Sequence, residues 1–418
     1  MIDTPRIVRC ERIPTAIFRF AVAREDIEEV MGPAIQESVP MTTAVVRFRG
    51  CVLGALLLLL STMRGFAQSP AEEALPVPSI GLHDEVLGAY AWKIGTTDHR
   101  AQRYFDQGAR LMFAYAISEA RRSFAESVRA DPQCAMCWWG QAWALGPHFN
   151  GGMSDDDLVR AREIMSRAIR EAGGSAPVER ALIDAMATRY SSVRSLAGNR
   201  RALLDSTYAT AMAELHARFP DHAEVAVLYA DALMLLEPRR GAWPIEKPSV
   251  RRIHAVLEGV LAEDLGHPGA CHAYVHATET TPKAAAAQDC ADLLGSSIPG
   301  VSHINHMPSH TYNRVGRWGD ATRANLQAVE TDRAAHEGNG FAVYPSHNLH
   351  MLLFSAAVDG QGEVALKAAR DYGEYDGPMG IGFQALLLAR FGRFDELLSL
   401  RDAPRSALAG GYWAFGRG

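Results

Sequence analysis

The chain has 418 residues, 48% of them hydrophobic and 22% charged, enough for two ordinary domains or for one extended repeat array. A formal net charge of -6 leaves no basic stripe to neutralise phosphates, so nucleic acid is excluded as a partner. Alternating Val/Ile/Thr runs are scarce while Ala, Leu and Arg abound, which predicts an all-α protein.

From Met41 the chain reads as a targeting segment. Arg47 and Arg49 are basic, Cys51 to Leu60 is a short apolar run, and Gly65, Phe66 and Ala67 place small residues at a signal-peptidase site. Cleavage after Ala67 is expected, with Gln68 as the mature start and the periplasm as destination. Residues 1–40 would bury this signal and read as an over-extended start, 41–67 as signal peptide, 68–96 as linker. The apolar run is too short to favour a membrane span, so contact with a membrane is expected only through an uncleaved signal segment.

Export leaves Cys134, Cys137, Cys271 and Cys290 in an oxidising compartment. Cys134 and Cys137 read as a disulfide, a redox pair, half of a soft-metal site, or small residues packed at a helix start. No histidine follows Cys137, which excludes a c-type haem attachment.

Between Tyr104 and Pro132 a 34-residue helix-turn-helix pattern is legible: Tyr104, Gly108, Ala120, Phe124 and Pro132 fall at its positions 4, 8, 20, 24 and 32. Gly108 and Ala120 let paired helices approach, Phe124 fills the space toward the next unit, and Pro132 ends the second helix. The next unit starts at Trp138, and EPRRGAWPIEKPS at 237–249 is a long loop within the array. HPGACHAYVHATE and VSHINHMPSHTYN then superpose with a shift of 34, aligning His272 with His306 and His276 with His310. PSHNLHMLLFSAA follows with a shift of 44, aligning His303 with His347 and His306 with His350.

On these residues the chain resembles the tetratricopeptide-repeat family. The stretch from about residue 97 to the end also resembles a bacterial group of such proteins, through CAMCWWGQAWALGPHFN, HPGACHAYVHATE, HINHMPSHTYNRVGRW and YPSHNLHMLLFSAA. The resemblance implies a right-handed superhelical solenoid over 97–418, one that stops short of a further helix at its C-terminal end. It also implies a concave ligand groove and names no reaction.

Steps of three and four residues put the repeated histidines on one helix face. The resemblance turns that face into the groove, lined by His272, His276, Glu279, His303, His306, His310, Asn313, His347 and His350. Imidazole suits zinc, copper and iron, and Glu279 adds a candidate oxygen ligand. HAYVH carries Ala273 where the zincin motif has its glutamate, so that protease base is missing. Two functions stay open: an exported scaffold binding a peptide, protein or small polar ligand in the groove, with or without a metal ion, and a metal-dependent enzyme with its active site there. A redox role for Cys134 and Cys137 is the weakest, because no strand precedes them. His148, His216, His222 and His254 read as solvated.

Overall fold

A computed structural model describes residues 77–418 apart from 191–194, 240 and 401. The start-site and signal-peptide expectations, and the first part of the linker, lie outside the described residues. Those described are all-α: α1 (Asp84–Leu87), α2 (His99–Phe113), α3 (Ile117–Ala130), α4 (Ala135–Trp143), α5 (Asp155–Glu171), α6 (Pro177–Arg189), α7 (Arg200–Arg218), α8 (Ala223–Met234), α9 (Pro248–Glu263) and α10 (Pro268–Glu279), then α11 (Gln288–Ser297), α12 (Ser302–His306), α13 (Pro308–Val315), α14 (Trp318–His336), α15 (Pro345–Val358), α16 (Gly362–Tyr372), α17 (Gly377–Arg390), α18 (Phe394–Ser399) and α19 (Ala407–Arg417). No strand occurs among these residues, only isolated bridges at His148–Gly151 and Val301–Phe341. No described helix is long and apolar enough to cross a membrane.

Local chemistry sets the helix starts. Asp98 accepts from the Ala101 amide at 2.8 Å to cap α2, and Ser154 with Asp157 forms a reciprocal capping box on α5. Pro308 lacks an N–H, so what the repeat predicts as one helix over 302–313 divides at Met307 into α12 and α13.

From α2 onward each helix packs on the next. Phe124 of α3 sits between Gly108 and Gly140, where an added Cβ would come within 2.5 Å of its ring on either side. Those two glycines therefore allow the close approach of α2, α3 and α4, and truncating the fully buried Phe124 to Ala would cost about 3–5 kcal/mol.

Two features depart from sequence expectation. Residues 77–96, expected as linker, belong to the core: Ile80, Leu87, Trp92 and Ile94 are buried, and the Trp92 ring lies 5.5 Å from those of Phe105 and Trp139. The segment packs because its apolar residues find these aromatic partners. In addition α10 touches α2 and α8 as well as its neighbours in sequence. A purely nearest-neighbour array makes no such contact, and here it encloses the histidine faces.

Candidate metal centre

The site begins at the end of α2. The last carbonyls of a helix have no partner within it, and Phe113, the last residue of α2, leaves such an oxygen. His267 caps α10 by accepting from the Ala270 amide at 3.2 Å, Pro268 starts it, and Gly269 lies so close to the Phe113 ring that a Cβ would clash at 2.5 Å. This approach brings the His272 Nδ1–H to the Phe113 carbonyl at 2.5 Å. A carbonyl only accepts, so the proton sits on Nδ1 and Nε2 keeps a bare lone pair.

Two trios follow. The ligand atoms of His272, His276 and His303 all lie within 4.8 Å of one another, as do those of His306, His310 and His347, so either set could hold a metal ion. In the first trio His276 Nδ1–H donates to Glu279 Oε1 at 2.9 Å, which again frees Nε2. The Nε2 atoms of His272 and His276 and both ring nitrogens of His303 are buried without a hydrogen-bond partner. Burial holds all three imidazoles below their ordinary pKa, those of His272 and His303 well below, and so keeps the lone pairs free near neutral pH.

In the second trio His306 Nδ1–H donates to Asn325 Oδ1 at 2.8 Å, while Asn325 Nδ2 donates to the Ala321 carbonyl at 2.9 Å and so fixes the amide orientation. His310 Nδ1–H donates to Glu279 Oε2 at 2.5 Å. His306 Nε2 and His310 Nε2 face each other at 2.9 Å. With both Nδ1 atoms committed as donors, these are two lone pairs, and such an approach requires a cation on the line, a proton or a metal. Burial lowers the His310 pKa, but the Glu279 charge and hydrogen bond outweigh it and hold the imidazole above its ordinary value. Burial and the neighbouring His310 charge push His347 down to about 4.

Glu279 thus spends one oxygen on each trio. Burial raises its pKa, yet His310 and His276 hold it well below the usual carboxylate range. Predicted from sequence as a metal ligand, it is placed as an outer-shell anion that orients imidazoles from both sets.

His350 falls in neither set: it is exposed, and its ring is stacked on Phe383 at 5.1 Å. Asn313 accepts from Ser355 Oγ at 3.2 Å and is no part of either set. Cys134 and Cys137 form a disulfide, as do Cys271 and Cys290, so none of these sulfurs is a soft-metal ligand. The second bond ties α10 to α11 beside His272.

Sequence reasoning missed the aromatic cover. Tyr115 and Tyr344 are the non-glycine residues with left-handed backbone among those described, at φ 56° and 55°. Such positions cost about 1–3 kcal/mol and cluster at functional sites. Tyr115 follows α2 where glycine is the usual helix-ending residue, and its ring lies 4.4 Å from that of His272 and 5.6 Å from that of His303. Tyr344 packs edge-on to His303 at 5.1 Å, and Phe149 lies 5.0 Å from His276. Among the histidines expected to be solvated, His254 is buried, its Nε2 bonded to the Ala277 carbonyl at 2.8 Å, and His148 packs 4.6 Å from Tyr115. Nothing in the sequence around Tyr115 marks its conformation. His148 did carry a signal, a histidine inside the Gly-rich turn GPHFNGG.

Compared with protein-family models and with curated proteins, the chain matches none.

Proposed function

We propose that this protein is an exported metal-dependent enzyme whose metal is held by His272, His276 and His303, with His306, His310 and His347 as a second metal position. The observation that carries the reading is the first trio: buried imidazole lone pairs converging within 4.8 Å, two of them oriented from behind by Phe113 O and Glu279. Three imidazoles with a fourth position open is the donor set of catalytic zinc, which lowers the pKa of bound water to about 7. Iron of the two-histidine, one-carboxylate type is disfavoured, because Glu279 is occupied with imidazole N–H groups.

Burial also argues against the alternative of a peptide lying directly on these histidines. The tetratricopeptide-type solenoid remains our reading of the architecture, supported by the 34-residue register and by Phe124 between Gly108 and Gly140. Elemental analysis of protein produced without an affinity histidine tag tests the proposal. Stoichiometric zinc that is lost in His303→Ala is expected, and wild-type protein that takes up no metal after zinc reconstitution overturns it.

A further inference from the structure

His303 and His306 stand less than one turn apart on the short helix α12, yet they belong to different trios. Their rings lie stacked with centroids 5.7 Å apart. A second crossing joins α10 to α13, where the rings of His276 and His310 are 5.9 Å apart. Within the trios the ring spacings are 4.9, 5.0 and 6.2 Å in the first and 4.7, 4.7 and 5.8 Å in the second. These crossings are no wider than the gaps inside each trio, so the imidazoles form one continuous cluster. Glu279 points the same way: a single carboxylate bonds His276 of one set at 2.9 Å and His310 of the other at 2.5 Å, which two distant sites could not share.

Charge decides what such a cluster needs besides metal. Two divalent ions bring four positive charges into a space where the rings of His272, His276, His303 and His306 are buried. Neutral imidazoles offset none of that charge, and among the described residues Glu279 is the carboxylate hydrogen-bonded to these rings. An uncompensated buried charge is costly, so a further anion is required beside the ions. Solvent supplies the smallest, hydroxide, because a bound zinc ion lowers the pKa of water to about 7.

We propose that the two trios form a single binuclear metal centre, in which two divalent ions share a small bridging anion, hydroxide at rest. The inference rests on the trios holding metal, as proposed above, and adds that they do so as a pair. Each ion keeps three imidazoles and takes the bridge as its fourth ligand, completing a tetrahedral set. Two independent mononuclear sites are the competing account. They need no anion in common, and they leave two paramagnetic ions magnetically isolated.

Copper(II) is the probe, since imidazole suits it and its unpaired electron reports a neighbouring ion. Metal-free wild type is titrated in glycine buffer, which competes for copper at lone surface histidines. Bound metal is read by elemental analysis and the spins by electron paramagnetic resonance. Wild type should bind two coppers, and the spectrum of isolated ions should be lost when both are in place. His347→Ala, which leaves the second set with two imidazoles, should bind one copper and keep the isolated-ion spectrum at full intensity. Azide, a small anion able to bridge, should bind the two-copper wild type about tenfold or more tightly than the one-copper variant.

Two bound coppers with the spectrum of isolated ions overturn the pairing, as does a single copper per chain at saturation or a paired spectrum that survives in His347→Ala. Equal azide affinity in the two forms overturns the shared anion. The wild-type titration decides the pairing even if His347→Ala does not fold. Wild type that binds no copper overturns the metal reading itself, and elemental analysis separates that failure from the others.

Discussion

The two trios have the same composition and differ at one ring: His310 is held above its ordinary pKa, whereas the three imidazoles of the first set are held below theirs. His272 and His276 present free Nε2 lone pairs in a buried space beside His303, neither of whose ring nitrogens has a hydrogen-bond partner. His306 and His310 bring their Nε2 atoms to 2.9 Å, a hydrogen-bond distance, and Glu279 supplies a counter-charge to His310. The difference originates in what stands behind each ring. Glu279 stands behind one ring of each set, His276 at 2.9 Å and His310 at 2.5 Å, but it outweighs burial only at His310. Either set could hold a metal ion, and at His310 a proton would compete for the site.

The largest expected effect breaks the first set. His303→Ala should abolish tight zinc binding at that trio while leaving the melting temperature of the metal-free protein unchanged or raised, because it removes two buried unpartnered nitrogens that each cost about 1–3 kcal/mol. Metal content together with a melt in chelator checks this, and a strongly destabilised apo-variant would mean that His303 is structural.

Next in size is Glu279→Gln, which touches both sets. Outer-shell partners are worth about 10–100-fold in metal affinity, so competition against a chromophoric chelator should show weakening at both positions. Weakening at one alone would separate the trios.

Acidification should discriminate between them. Glu279 outweighs burial to hold His310 above its ordinary value, so protons compete there first, while burial holds the imidazoles of the first trio below theirs. Metal should leave the second trio before the first as pH falls from 8 to 6. Equal loss from both, followed with cobalt in place of zinc by visible absorption, would remove the distinction.

The smallest effect is reserved for Cys134→Ser with Cys137→Ser, since this disulfide closes a loop of only three residues' separation away from both trios. Metal content should stay within a few-fold of wild type, and loss of metal would tie α4 to the site.

Much of the centre was legible as a residue list. The shift of 34 residues placed His272, His276, His306 and His310 at equivalent positions, and the structure brings them together, along with His303 and His347. His350 followed the same periodicity but falls in neither trio, because its ring stacks on Phe383 instead. Glu279 was recognisable as a partner, though its role was not: whether a carboxylate binds metal or imidazole N–H depends on which atoms lie 2.5–2.9 Å from it.

The sequence by itself determined that the described residues are all-α, that Gly108 admits the close approach at Phe124, and which imidazoles recur on one helix face, whereas Gly140 on the far side of Phe124 emerged only from the structure. Those properties depend on local periodicity and residue size, which are written in order along the chain. Only the tertiary structure decided that the histidines are enclosed, that Phe113 O and Asn325 set the tautomers of His272 and His306, and that Tyr115 and Tyr344 pack against them. These depend on α10 meeting α2 and α8, contacts between segments up to 159 residues apart. A backbone oxygen or a left-handed turn carries no side-chain signature by which a sequence could announce it.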